Sequence, residues 1–149
     1  SRDFLIIART DAGRNKEEPF ARAVERANIY AATGVDMVMV FPRTMDEVKM
    51  APEKIHAPLV YVASEGLGRP VPSPAELADL GYKMVIYPLT PILAAYKSVK
   101  YVYGNLANSG KSGMSQEETA RLSSEIMDLI AIPELIKLEE KSYRHNQAH

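Results

Sequence analysis

Phe4-Leu5-Ile6-Ile7-Ala8-Arg9-Thr10-Asp11-Ala12 is an apolar run that stops abruptly at an arginine, a hydroxyl and a carboxylate. It is long enough for a strand buried on both faces and short for a helix. A strand held in a helix-covered parallel sheet has nowhere along its length to put a charge. Arg9 and Asp11 therefore belong at its carboxyl end, where such sheets expose their ligand sites. As structure, R-x-D is an ion pair closing a strand. As chemistry, it is an arginine whose donor fork fits two oxygens of a carboxylate or phosphate.

The 149 residues suit one domain, and an apolar share of 46% is sufficient for a core. Eighteen basic residues stand against 19 acidic ones, for a formal charge of -1, which gives no support to nucleic-acid or polyanion binding by the chain as a whole. With no cysteine there is no disulfide, thiolate nucleophile or sulfur metal site. No apolar run is long enough to span a bilayer and no signal-peptide pattern opens the chain, so the default location is cytoplasmic. The chain starts at Ser1 without a methionine and enters its first strand almost at once, which reads as an excerpt of something longer.

Beyond the first strand, residues 13–16 read as a loop, and Glu17-Glu18-Pro19 favour a helix start. Phe20, Ala23, Val24, Ala27 and Tyr30 then recur at helical spacing until Thr33-Gly34. A second strand, Val35 to Phe41, carries Asp36 at its base and ends at Pro42-Arg43-Thr44; a short helix with Asp46, Glu47 and Val48 follows, its end restricted by Pro52. Pro58 to Val62 is the third strand, leading into Ser64-Glu65-Gly66 and a loop containing Gly68 and Pro70. Ser73-Pro74-Ala75-Glu76 has the form of a capping box with proline at the first helical position. Leu77 and Leu80 face the core, Gly81 stops the helix, and the fourth strand runs Met84 to Tyr87 before Pro88-Leu89-Thr90.

One unit thus repeats: strand, polar exit, helix, glycine, strand. It predicts parallel βα units with every strand exit on the same face. Four units are half of an eight-stranded barrel, and half a barrel leaves two unpaired edges and an exposed interior. The expected fold is α/β, the C-terminal half of a (β/α)8 TIM-type barrel with additional terminal helices. Residues 1–112 form the four βα units and 113–149 the terminal helices. The first of the helices after the fourth strand carries an apolar stripe from Ile92 to Leu106; Ser115 caps the next, and Pro133 opens the last, whose tail from Ser142 to His149 is polar and frays. Core packing is the first expectation for their apolar surface and a subunit interface the second.

If the strand exits converge, the site contains Arg9, Asp11, Arg43, Ser64, Glu65 and Thr90, with Pro88 shaping one wall. Two arginines with hydroxyls around a carboxylate suit a small anion. Arg9 and Arg43 anchor substrate carboxylates, and Asp11 or Glu65 orients a base or holds a divalent cation through water. Gly110-Lys111-Ser112 lacks the leading glycine of a phosphate-binding P-loop and joins two helices. His56, His145 and His149 have no metal spacing, and Tyr61 and Tyr87 are candidates for the pocket border.

Ile7-Ala8-Arg9-Thr10-Asp11-Ala12, Gly34-Val35-Asp36-Met37, Ser64-Glu65-Gly66, Glu76-Leu77 with Leu80-Gly81, and Val85-Ile86-Tyr87-Pro88-Leu89 resemble the later half of the isocitrate lyase and phosphoenolpyruvate mutase superfamily. Within it, the resemblance is strongest to 2-methylisocitrate lyase-like, dimethylmalate lyase-like and carboxyvinyl-carboxyphosphonate phosphorylmutase-like proteins. It implies a (β/α)8 barrel that binds Mg2+ (Mn2+ is an alternative) and an α-oxocarboxylate or its enolate. It also implies that Arg9 contacts the substrate carboxylate, with Ser64 and Glu65 following the seventh family strand. The family's metal-holding aspartates and its lid with an acid–base cysteine belong to the missing upstream half of the barrel. Terminal helices exchanged between subunits imply a homotetramer or homodimer.

Departures bear on the reaction. Methylisocitrate lyases carry F-P-E where this chain has Phe41-Pro42-Arg43, and the family's asparagine near Val62 and arginine near Leu93 are not found. An acid exchanged for a base reverses the preference for a charged substrate group. The expected activity of the parent is Mg2+-dependent C–C lysis or decarboxylation of a small oxo- or hydroxy-dicarboxylate, with Arg9 and Glu65 catalytic and Arg9, Arg43, Ser64 and Thr90 binding substrate. The alternatives are a phosphonomutase and a non-catalytic oligomeric scaffold. The 149-residue piece alone is expected to be inactive.

Overall fold

The computed structural model describes residues 3–14 and 17–146, with side chains as far as Lys141. Its elements are β1 (Ile7–Arg9), α1 (Phe20–Ala32), β2 (Met37–Met39), α2 (Met45–Lys54), β3 (Leu59–Val62), α3 (Pro74–Asp79), β4 (Met84–Ile86), α4 (Thr90–Ser109), α5 (Gln116–Leu129) and α6 (Ile132–Asn146). The four strands form one sheet in the order β1-β2-β3-β4, with every pairing parallel. By contact the chain divides inside α4 into Ser1–Tyr96 and Lys97–His149, earlier than the 112/113 division read from the sequence.

The register runs Arg9–Met39–Val60–Met84 across the sheet, so these four side chains share one face. Val38, Leu59 and Tyr61 alternate onto the other, where α1–α3 supply Phe20, Ala23, Ala27, Val48, Ala51 and Leu77 to a single core. Local chemistry sets the element ends. Asp36 at the foot of β2 accepts the Ile6 amide through its carboxylate (2.8 Å) and donates its own amide to the Ile6 carbonyl (3.0 Å). The Ser73–Glu76 capping box forms as expected, and its hydrogen bonds hold the Glu76 carboxyl below its usual pKa. Gly13 needs to be glycine: φ is +69°, and a Cβ would stand 3.0 Å from the Phe20 Cα.

Pro52 does not end α2; the helix continues two residues beyond it, to Lys54. A proline leaves the carbonyl four residues back without its helical partner. That carbonyl belongs to Val48, and the buried Tyr82 hydroxyl donates to it (2.9 Å). Tyr82 also meets the Tyr61 ring edge-on, 5.3 Å between centroids, and Tyr61 donates to the Pro70 carbonyl (2.6 Å). Burial, more than any neighbouring charge, raises the pKa of both phenols. A phenol whose folded pKa lies above its unfolded value keeps its full stability contribution below the unfolded value of about 10. That contribution is then lost as the pH climbs toward the folded value. The unfolding free energy from urea titration is therefore expected to fall above about pH 10, by up to about 1.4 kcal/mol per pH unit per tyrosine, and Tyr82→Phe should flatten that decline.

Two expectations about burial need correction. The first strand is not buried on both faces: Phe4 is 69% exposed and Leu5 64%, Ile7 and Arg9 are also exposed, and β1 pairs only with β2. Apolar composition reports that burial is favourable, not that this chain supplies the cover. Nor do the described side chains of α4 and α5 enter a core: no residue of either helix is buried, and Ile92, Tyr96, Tyr103, Leu129 and Ile130 lie open, as do Leu135 and Leu138 of α6. The α6 helix persists through Ser142–Asn146, and the end of the polar tail lies outside the described residues.

Candidate active site

Each βα loop brings its polar residues to the carboxyl edge of the sheet by a different device. After β1, Thr10 is buried; its amide donates to the Met39 carbonyl (3.1 Å) and its Oγ1 accepts the Ala12 amide (3.1 Å). This turn aims Asp11 back at Arg9. The guanidinium donates through Nε and Nη2 to both carboxylate oxygens, at 3.0–3.1 Å, and Arg14 stands 3.5 Å from the same carboxylate. After β2, Thr44 caps α2 by accepting the Glu47 amide, while Glu47 accepts the Arg43 amide (2.6 Å) and pairs with its guanidinium (3.2 Å). After β3, Ser64 is buried and Glu65 is exposed, its carboxylate accepting the Thr90 hydroxyl from the start of α4.

Four of the six site residues read from the sequence thus fall into two pairs, and a fifth pairs outside the set. Arg9 meets Asp11, and Glu65 meets Thr90, joining the third and fourth strand exits. Arg43 meets Glu47. Tyr61, a candidate for the pocket border, is 1% exposed and serves instead to tie down the β3–α3 loop at Pro70.

What the sequence reading missed is the ring at the centre. Phe41 is 5% exposed, and the guanidinium carbons of Arg9, Arg14 and Arg69 lie 4.7, 5.1 and 5.3 Å from its centroid. Each distance is within reach of a cation–π contact. Beside it opens a cavity of about 420 Å3 lined by Arg14, Arg43, Thr44, Glu47, Leu67, Gly68 and Arg69. Burial, followed by the nearby charge of Arg14, lowers the Arg69 pKa, with Arg43 adding to the effect. One signal was available: each of the first three strand exits is followed within a few residues by an arginine, Arg14, Arg43 and Arg69.

Among the described residues no three acidic or histidine side chains come together as a metal site. Asp11 is engaged by Arg9 and Arg14, and Glu65 by Thr90. These carboxylates do not by themselves fit a Mg2+ ion, which favours a cage of oxygen ligands.

A parallel α/β sheet with its polar groups at the strand exits is a scaffold that carries its ligand sites at that edge. Residues 1–107 match the sequence model of phosphoenolpyruvate phosphomutase, and the chain belongs to that family. It is 31% identical over 123 residues to the 2-methylisocitrate lyase of Halalkalibacterium halodurans, covering 79% of this chain and 40% of that protein. It is likewise 31% identical over 147 residues to the 2,3-dimethylmalate lyase of Eubacterium barkeri, covering 98% of this chain and 48% of that one. The crystal structure of a 2,3-dimethylmalate lyase, a PEP mutase/isocitrate lyase superfamily member, superposes with a TM-score of 0.79 at 20% identity, over 94% of this chain and 48% of that one. The chain spans less than half the length of both curated relatives.

Proposed function

We propose that this chain is the later half of a (β/α)8 barrel whose complete form cleaves or decarboxylates a small oxo- or hydroxy-dicarboxylate through an enolate. The observation that carries the reading is Arg9, held at the carboxyl end of β1 by a two-oxygen contact with Asp11. Asp11 supports the reading by fixing the guanidinium at the strand exit through its Nε and Nη2 edge, and a substrate carboxylate would take the remaining edge. Support for the half-barrel comes from the two outer strands, each paired on one side, and from the row Arg9–Met39–Val60–Met84 on the face opposite the α1–α3 core, which a closed barrel would turn inward.

Arg9 holds the substrate carboxylate and Arg43 its variable end. Ser64 donates a hydrogen bond, Thr90 lines the substrate site with its one hydroxyl proton held by Glu65, and Glu65 so fixed orients the reacting group. Enolate charge is stabilised by this positive mouth. Mg2+ belongs to the complete protein, with its ligands and the proton-transfer residue outside this chain; Asp11 is at most an indirect, water-mediated neighbour. The terminal helices 113–149 assemble the protein into a homotetramer or homodimer through the apolar side chains exposed on α5 and α6. No described helix is long and apolar enough to cross a membrane, and the proposed location is cytoplasmic.

A phosphonomutase is the second reading, favoured by the family matched and by Arg43 in place of an acid. A screen of oxaloacetate, methylisocitrate, dimethylmalate and phosphonopyruvate with the barrel-length protein and Mg2+ separates the two. C–C cleavage or decarboxylation of one of the first three is expected, with negligible turnover by the 149-residue chain alone. Turnover of phosphonopyruvate alone selects the mutase; assembly with no Mg2+-dependent turnover of any of them selects a scaffold. Turnover by the 149-residue chain at the rate of the longer protein would refute the half-barrel reading.

A further inference from the structure

We propose that Arg14, Arg43 and Arg69 form a second anion site, beside the Arg9 carboxylate contact, that takes a tetrahedral dianion of the phosphate class. The three guanidiniums line one cavity, and Glu47 is the only acid among its described lining residues. Glu47 is already committed, with one oxygen on the Arg43 amide and the other on its guanidinium. It positions Arg43 more than it neutralises the cavity. Asp11 is committed in the same way to Arg9, with Arg14 at the longer distance of 3.5 Å.

Arg69 is the deciding residue. It is partly buried, and among the described residues its guanidinium makes no ion pair and no hydrogen bond. It lies by the Phe41 ring; the charges of Arg14 and Arg43 oppose its own, and Tyr61 and Asp11 favour it, Asp11 being a carboxylate already shared by Arg9 and Arg14. Like charges packed together with too few carboxylates to match them are unfavourable, and an entering anion relieves the excess. The fold nevertheless holds Arg69 in place. Gly66 and Gly68, at φ +78° and +68°, bend the loop, and the Tyr61 hydroxyl fastens it at Pro70, the next residue. Phe41 supplies a rigid platform on which guanidinium groups rest while their N–H edges stay available.

The ligand class follows from charge and shape. Three forks around one cavity can meet more oxygens than a single carboxylate offers, and the excess of positive charge matches a dianion better than a monoanion. A volume of about 420 Å3 leaves room for the rest of a small molecule esterified or bonded to that group. The site shares Arg43 with the proposed substrate site, but it needs neither a metal nor turnover, so binding at Arg14 and Arg69 is tested apart from the enolate reading.

The test is titration of the 149-residue chain with inorganic phosphate at low ionic strength and near-neutral pH, by calorimetry and by amide chemical shifts. Saturable binding is expected, with shifts centred on residues 14, 43 and 69, and with acetate at least tenfold weaker. Arg69→Met and Arg14→Met should each weaken phosphate at least tenfold, and Arg69→Lys, which keeps the charge and loses the fork, less than that. If Arg69→Met does not fold by circular dichroism, Arg14→Met gives the same reading. Phosphate binding that does not saturate, that is matched by acetate, or that is equal in wild type and both methionine variants would overturn the proposal.

Discussion

Arg9→Ala in a barrel-length protein containing this chain is expected to lower kcat/KM by about 100- to 1000-fold, the loss that follows when one partner of a desolvated charge pair is removed, at roughly 2–5 kcal/mol. Its effect on folding should be small. The Arg9 and Asp11 side chains are about half exposed, at 50% and 52%, and such surface pairs contribute about 0–1 kcal/mol. The contact of Arg9 with Phe41 adds a further 0.5–1 kcal/mol, roughly. The two readings of R-x-D therefore separate cleanly. A strand-closing ion pair predicts small changes in both kinetics and stability; a carboxylate anchor predicts a large change in kinetics alone. Arg9→Lys should recover only part of the loss, because an ammonium restores charge without the two-oxygen fit. Steady-state kinetics alongside urea unfolding of the same variants decide it, and unchanged kcat/KM would remove Arg9 from the site.

Part of this arrangement is legible in the chain and part is not, and the division is physical. The strand–exit–helix repeat shows because its markers are local. Ser73 and Glu76 cap α3 within four residues, Gly34 and Gly81 close helices at positive φ, and Arg9 reaches Asp11 two positions away. Pro52 misleads because its remedy is remote: the carbonyl it strands is satisfied by Tyr82, 34 residues from Val48. Arg14 and Arg69 escape notice for a related reason. Each sits alone in its own loop, and only the Phe41 ring, which reads as a strand terminus, reveals that they converge. The exposed face of β1 marks a different limit, since hydrophobicity measures the gain from being covered without naming the cover.

Leu77→Ala should destabilise the first unit by about 2–5 kcal/mol. Leu77 is fully buried and is the only buried residue of α3, a six-residue helix that is too short to be stable by itself. The capping box starts that helix, and Leu77 fastens it to the core beside Tyr61 and Tyr82. Against a total stability of about 5–15 kcal/mol, such a loss brings the unit near its unfolding threshold. Ser73→Ala, which removes only the cap, should cost about 1 kcal/mol. The difference in urea midpoints between the two variants measures how much of α3 is held by packing and how much by its start signal. The consequence reaches the site, because the loop carrying Glu65 and Arg69 runs directly into α3. Under conditions where Leu77→Ala is still folded, faster amide exchange is expected from Gly66 through Leu80, with the Val38 and Val60 amides slowed as in the wild type. Equal protection across that segment in both proteins would show that the loop is held by the Tyr61–Pro70 hydrogen bond and its glycines alone.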